Sequence, residues 1–225
     1  MVSSRQAIMI VMAFTPFLLI YESDSASCSQ IDCVGIPEFA SSQKVNLSVY
    51  YESLNPTCAN FIIKDLAEIF NKDLIDIVNL QLVPWANSHI NKTNNSISCQ
   101  NGTDECQLNS LESCVLNDFH DVNKYYALIF CFEFLAIEGR LKNLTNCFSQ
   151  LGLPEKLTLD CYRRGNGTEL GRKYINETAH LSPPHTFLPW VVVNNKPLGK
   201  DYANFTSYVC EAYNGIAKPA VCKSG

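Results

Sequence analysis

What these 225 residues lack narrows their function first. No Gly-x-Ser-x-Gly turn occurs, so a hydrolase nucleophile elbow has no support. The 17 basic residues are scattered and the net charge is only −5. Without a basic stripe to track a phosphate backbone, nucleic acid is not an expected partner. Nor do any two cysteines stand as Cys-x-x-Cys, the short pair of structural zinc modules. A zinc site assembled from Cys99, Cys106, Cys114 and His120 therefore lacks its usual frame, and neither metal nor cofactor is expected. After residue 20 no apolar run approaches the roughly 20 residues that cross a bilayer, so no membrane span is expected.

The N-terminus carries Arg5, a 14-residue apolar run from Ala7 to Ile20 interrupted by Pro16, and then small polar residues. This is the pattern of a secretory signal peptide, residues 1–26, cleaved near Ala26 or Ser27 and followed by an N-terminal extension over 27–43. A chain entering an oxidising compartment uses most of its 11 cysteines as disulfides. Their odd number leaves at least one sulfur without a partner inside the chain. Eight Asn-x-Ser/Thr acceptors begin at Asn46, Asn91, Asn94, Asn101, Asn143, Asn166, Asn176 and Asn204. With the leader, they predict a glycoprotein of the secretory pathway, lumenal or extracellular.

Periodicity predicts the architecture. Residues 44–51, "KVNLSVYY", alternate Val45, Leu47 and Val49 with polar neighbours, as a strand does. From Pro56 to about Asn71, Phe61, Ile62, Leu66, Ile69 and Phe70 recur at helical spacing. Residues 75–85 read as a second strand, which completes a βαβ unit. The middle of the chain, about 87–178, turns polar and then helical with embedded cysteines, and reads as a helical insertion pinned by disulfides. Trp190 to Val193 is a buried strand, followed by an Asn194-Asn195 turn into a short partner. Residues 201–215 are a closing helix capped by Gly215. The sum is an α/β chain, a βαβ half, helices, then a ββα half, in a single domain over 44–222.

Between the first strand and first helix stands "YYESLNPTCANF", residues 50–61. A thiol at such a helix start meets unsatisfied amides and the positive dipole end, which favour its thiolate. A dithiol turn uses a first cysteine as nucleophile and a second, three residues on, to resolve the mixed disulfide. Here Asn55 occupies the first place and Cys58 the second. Asn55 and Pro56 are good N-cap and first-turn residues. Cys58 is expected to face inward as a resolving thiol, with its pKa somewhat lowered by the helix end. It is either an inert, partly buried thiol or a reactive monothiol.

"CQNGTDECQLNSLESC", Cys99 to Cys114, is similar to a motif of the gamma-interferon-inducible lysosomal thiol reductase family, with Asn101 where the motif has histidine. "VPWANS" and "PPHTFLPWVVVNNKPL" also resemble family segments, and the resemblance runs from about Lys44 to Cys222. It implies a thioredoxin-like fold with a helical insertion and an active site mapping onto Asn55 and Cys58, so only Cys58 carries over. It also implies that Pro189 is the cis proline facing the active-site turn, where a substrate strand binds. His185, in the turn before it, is expected to be solvated. Cys99, Cys106, Cys114, Cys131, Cys147, Cys161, Cys210 and Cys222 can make four bridges, and Cys28 with Cys33 a small N-terminal loop, leaving Cys58 over. The sequence leaves their connectivity open.

Two functions follow. One, which the resemblance implies, is a thiol–disulfide oxidoreductase of a lysosome- or vacuole-like compartment acting on protein disulfides, impaired by Asn55, whose Cys58 needs a small thiol as reductant. The other is a non-catalytic, thioredoxin-like glycoprotein that holds extended or disulfide-containing polypeptides.

Overall fold

A computed structural model describes residues 43–223. The signal peptide and N-terminal extension expected from the sequence, up to residue 42, with Cys28 and Cys33, lie outside the described residues.

Strand β1, Val45–Tyr50, is central. It buries Val45, Leu47 and Val49 on one face and leaves Asn46 exposed on the other. The period of two sorts its side chains between core and surface. β1 continues through a turn into helix α1, Pro56–Asn60. The chain then makes a π turn over Phe61–Asp65 and a short helix α2, Glu68–Asn71. A single α-helix from Pro56 to Asn71 is thus corrected. Leu66 N donates to Phe61 O at 2.9 Å, five residues back, which releases the carbonyl of Ile62. The hydroxyl of Tyr126, from the insertion, takes that carbonyl at 2.7 Å. Tertiary bonding thus stabilises the wide turn, a feature frequent at functional sites.

Strand β2 is Val78–Val83, shorter than the expected 75–85, because Asp73 adopts a left-handed conformation and Leu74–Asp76 wind into a 3₁₀ turn. It pairs parallel with β1, Val45 opposite Val78. A small hairpin, β3 His89–Ile90 and β4 Ile97–Ser98, follows. The insertion is helical: α3 Thr103–Asp118, α4 Val122–Ile137, α5 Asn146–Gln150, α6 Lys156–Arg163 and α7 Asn166–Ala179. Strand β5, Trp190–Val193, then returns to lie antiparallel against β1, Tyr50 opposite Trp190, and β6, Lys196–Pro197, forms the edge. Asn194 and Asn195 make the tight turn between them with φ of 44° and 66°, the left-handed geometry asparagine tolerates. The sheet order is β2-β1-β5-β6.

The last helix, α8, covers Phe205–Ala212 behind a 3₁₀ segment, Gly199–Asn204. Gly215 does not cap it, contrary to the sequence expectation. Tyr213 breaks out to an extended conformation and buries its ring in the core, ending the helix earlier.

Disulfides join Cys99 to Cys106, Cys114 to Cys161, Cys131 to Cys147 and Cys210 to Cys222. The three sulfurs of the zinc alternative are all consumed in these bridges. No group of three His, Cys, Asp or Glu side chains among the described residues could hold a metal ion, and no helix there is long and apolar enough to cross a membrane.

Helix α7 approaches its neighbours through Gly167 and Gly171, one turn apart. A Cβ on Gly171 would stand 2.6 Å from the indole of Trp85, and one on Gly167 would stand 2.1 Å from the backbone oxygen of Ser110. The Trp85 ring is locked there, its Nε1 donating to Ser113 Oγ at 2.8 Å. Gly171→Ala is expected to cost about 1–3 kcal/mol through overpacking, and Gly167→Ala more, because a backbone oxygen cannot rotate away. Urea unfolding of the two variants checks this; unchanged midpoints would contradict the close packing.

Candidate functional site

The turn after β1 is built around one side chain. Asn55 is extended, with φ −89° and ψ 114°. Its Oδ1 accepts from Thr57 N at 2.9 Å and Cys58 N at 3.2 Å. Pro56 has no N–H, and Ala59 N donates to the carbonyl of Asn55 at 2.9 Å. Every amide in the first turn of α1 is thereby used or absent, and none is left to hold an anion. Asn55 Nδ2 donates to Glu52 Oε1 at 2.8 Å, so the side chain is fixed at both ends.

Cys58 is the free cysteine among the described residues, and it is fully buried. Burial pushes its thiol well above the ordinary value. The Glu52 backbone N–H partly opposes this, and the carboxylates of Glu133, Glu52 and Glu105 add to it. The expected lowering by the helix end is therefore corrected: desolvation and neighbouring negative charge exceed it, and Asn55 already occupies the amides that would have supplied it.

Pro189 is buried, follows a cis peptide bond from Leu188, and immediately precedes β5. Extending the Tyr50–Trp190 register by one residue sets it level with Tyr51, where β1 feeds the turn. His185 is half-buried rather than solvated. Burial lowers its pKa, the Glu52 carboxylate works in the opposite direction, and His89 adds to the lowering. A second cis bond, Ser182–Pro183, was not anticipated from the sequence.

Beneath the turn lies a group of carboxyls that periodicity did not single out: Glu52, Glu105, Glu112 and Glu133, all at most 1% exposed. Glu112 Oε2 accepts from Tyr51 Oη at 2.8 Å and lies 3.1 Å from Ser53 Oγ. That hydroxyl is also 2.9 Å from Asn109 Oδ1, which accepts the Ser53 N–H at 3.1 Å. Asn109 Nδ2 lies 3.4 Å from Glu105 Oε1, and Glu105 Oε2 accepts the N–H of Asn101 at 2.6 Å. The other oxygen of Glu112 and both oxygens of Glu133 are buried without a hydrogen-bond partner. Two such carboxyls cannot both remain charged, so they titrate as a pair and hold a proton. The one sequence signal was Glu133, a lone charge inside the apolar run of α4.

Of the eight glycan acceptors, seven are exposed and Asn143 is half-buried.

The family model described as gamma interferon inducible lysosomal thiol reductase (GILT) matches residues 46–151. The gamma-interferon-responsive lysosomal thiol protein of Arabidopsis thaliana is 38% identical over 187 residues, 81% of this chain and 77% of that protein. The gamma-interferon-inducible lysosomal thiol reductase of Mus musculus is 33% identical over 184 residues, 81% of this chain and 73% of that one. Among solved structures, DsbA of Chlamydia trachomatis superposes with a TM-score of 0.53 at 15% identity, covering 74% of this chain and 85% of that one. The MdbA thiol-disulfide oxidoreductase of Corynebacterium diphtheriae gives 0.51 at 15% identity, covering 74% and 83%. These last two show the thioredoxin-like fold alone.

Burial raises the pKa of Glu112 to about 7 and that of Glu133 well above its usual value. Both carboxyls bind a proton more tightly folded than unfolded, so their contribution to stability is complete below the unfolded value near 4.3 and is lost as pH rises through about 7. The loss between pH 4.5 and 8 is expected to be on the order of 3 kcal/mol. Thermal melts across that range should show stability falling with pH, and Glu133→Gln should flatten the fall; an equally steep profile in the variant would contradict the assignment.

Proposed function

The chain belongs to the gamma-interferon-inducible lysosomal thiol reductase family, and we propose that it is a glycoprotein of the secretory and lysosomal route that binds polypeptides without reducing them. It keeps the thiol–disulfide oxidoreductase-like scaffold of the family. Its partners in this reading are extended or disulfide-containing polypeptides lying beside Pro189.

The observation that supports this is the state of the turn's only sulfur. Dithiol exchange needs a thiolate that attacks the substrate disulfide and a second thiol that resolves the mixed disulfide. Asn55 offers an amide in place of the first. Cys58 is fully buried and its thiolate is disfavoured, so the second lacks both access and charge. Pro189 follows a cis peptide bond and stands level with Tyr51, where β1 feeds the turn, and this reading puts the bound polypeptide beside it.

The monothiol reading gives the opposite result in one assay. If Cys58 exchanged, the folded protein supplied with a small thiol would reduce a protein disulfide faster than Cys58→Ser does. The expected result is no difference between the two, and one equivalent of adduct from Cys58 with a thiol-selective reagent only after unfolding. Asn55→Cys places a thiol at the helix start, where pKa values near 7 are typical, and is expected to raise reductase activity by at least ~10²-fold over the unsubstituted chain. Turnover by the unsubstituted chain above the Cys58→Ser control would overturn the proposal.

A further inference from the structure

The sheet face away from the Val45–Leu47–Val49 core forms the floor of a second cleft. Ser48, Tyr50 and Gln81 lie on this floor, Trp190 lines it, and the C-terminal end of α7, with Asn176 and Glu177, makes one wall. Its volume is about 500 Å³, inside the range that holds small ligands.

Its chemistry is that of a built polar site. Glu177 Oε1 accepts from Gln81 Nε2 at 2.9 Å and from Tyr50 Oη at 3.1 Å, and Ser48 Oγ donates to Gln81 Oε1 at 3.0 Å. Burial and the Glu177 carboxylate raise the Tyr50 hydroxyl to about 12, so it stays a donor. Trp190 and Tyr50 show the cleft only their edges, being 6% and 7% exposed, and the Trp190 Nε1–H is buried with no hydrogen-bond partner. An unmet buried donor is costly. A carboxylate, amides and hydroxyls with aromatic edges between them suit a ligand that is itself ringed by hydroxyls. They do not suit a phosphate, which needs cations, or a lipid tail.

A ligand of that kind is implied by the cleft's own wall. Asn176-Glu177-Thr178 is a glycan acceptor, Asn176 is exposed, and it lines the cleft. We propose that the N-linked sugar of Asn176 folds back into this cleft, its first N-acetylhexosamine resting against the exposed edges of Trp190 and Tyr50 and bonding to the Glu177–Gln81 group. The inference rests on the glycoprotein reading above. Attachment joins Asn176 Nδ2 to the sugar's C1 and breaks the bond from C1 to a polyprenyl-diphosphate carrier. The diphosphate leaves with the electron pair, and the amide proton passes to the transferase and then to water. Thr178 is buried and its Oγ1 donates to Tyr174 O at 2.9 Å in the folded chain, so transfer precedes folding. Once attached, the sugar is tethered beside the cleft and needs little intrinsic affinity to occupy it.

The test uses the full chain made in a eukaryotic secretory host with ¹³C-labelled sugars. Glycopeptide mass spectrometry is expected to find Asn176 occupied, and NMR to show nuclear Overhauser contacts between the first sugar's N-acetyl methyl and the Trp190 indole. Asn176→Gln should remove those contacts and shift the Trp190 indole N–H resonance, while that of Trp85 stays put and reports an intact fold. Asn176 occupied without contacts, contacts that survive in the variant because the Asn46 sugar makes them, or Asn176 bare while other acceptors carry sugar would each overturn the inference and leave the glycoprotein reading standing. Bare asparagines at all eight acceptors would remove both.

Discussion

The arrangement of the turn depends on a single amide side chain used twice. Asn55 gives its oxygen to the amides of Thr57 and Cys58 and its nitrogen to Glu52. The oxygen completes the start of α1, a capping contribution of about 1 kcal/mol. The nitrogen ties that start to a buried carboxylate. A thiolate at position 55 would need those same amides, and a neutral asparagine satisfies them without charge. The helix start is thus complete without any charge at position 55. Cys58 is buried, and its sulfur faces carboxyls rather than cations.

Those carboxyls give the site its second character. Glu112 and Glu133 sit among Tyr51, Ser53 and Asn109 with three of their four oxygens lacking a hydrogen-bond partner. Such a group is tolerated only when protonated, so proton activity becomes part of what holds the insertion against the sheet. Two elements meet there: α3 carries Glu112 and α4 carries Glu133.

Much of the scaffold was legible because its signals are local. The alternation of Val45, Leu47 and Val49 placed β1 within a residue of its observed ends, and Asn194-Asn195 marked a turn through its backbone tolerance alone. Asn55 and Pro56 were readable as a helix start for the same reason. What escaped depends on contacts between distant parts of the chain. The π turn exists because Tyr126 reaches the Ile62 carbonyl across 64 residues of sequence. The early end of α8 reflects where Tyr213 finds the core. The thiol's raised pKa reflects burial and charges from three separate segments, while the helix-end effect that argues the other way is visible in a short string of letters. Buried acids are equally hidden, because a glutamate on a helix reads as solvent-facing until its neighbours are placed.

The four bridges are unevenly distributed. Three lie within residues 99–161 and the fourth ties α8 to the tail, while α1 and the strands of the main sheet carry none among the described residues. A milieu rich in free thiols would therefore not act on the molecule uniformly. It would loosen the helical cap first, leaving the sheet and the Asn55 turn as a sulfur-independent remnant, so that ambient redox poise would govern how much of the turn is roofed over.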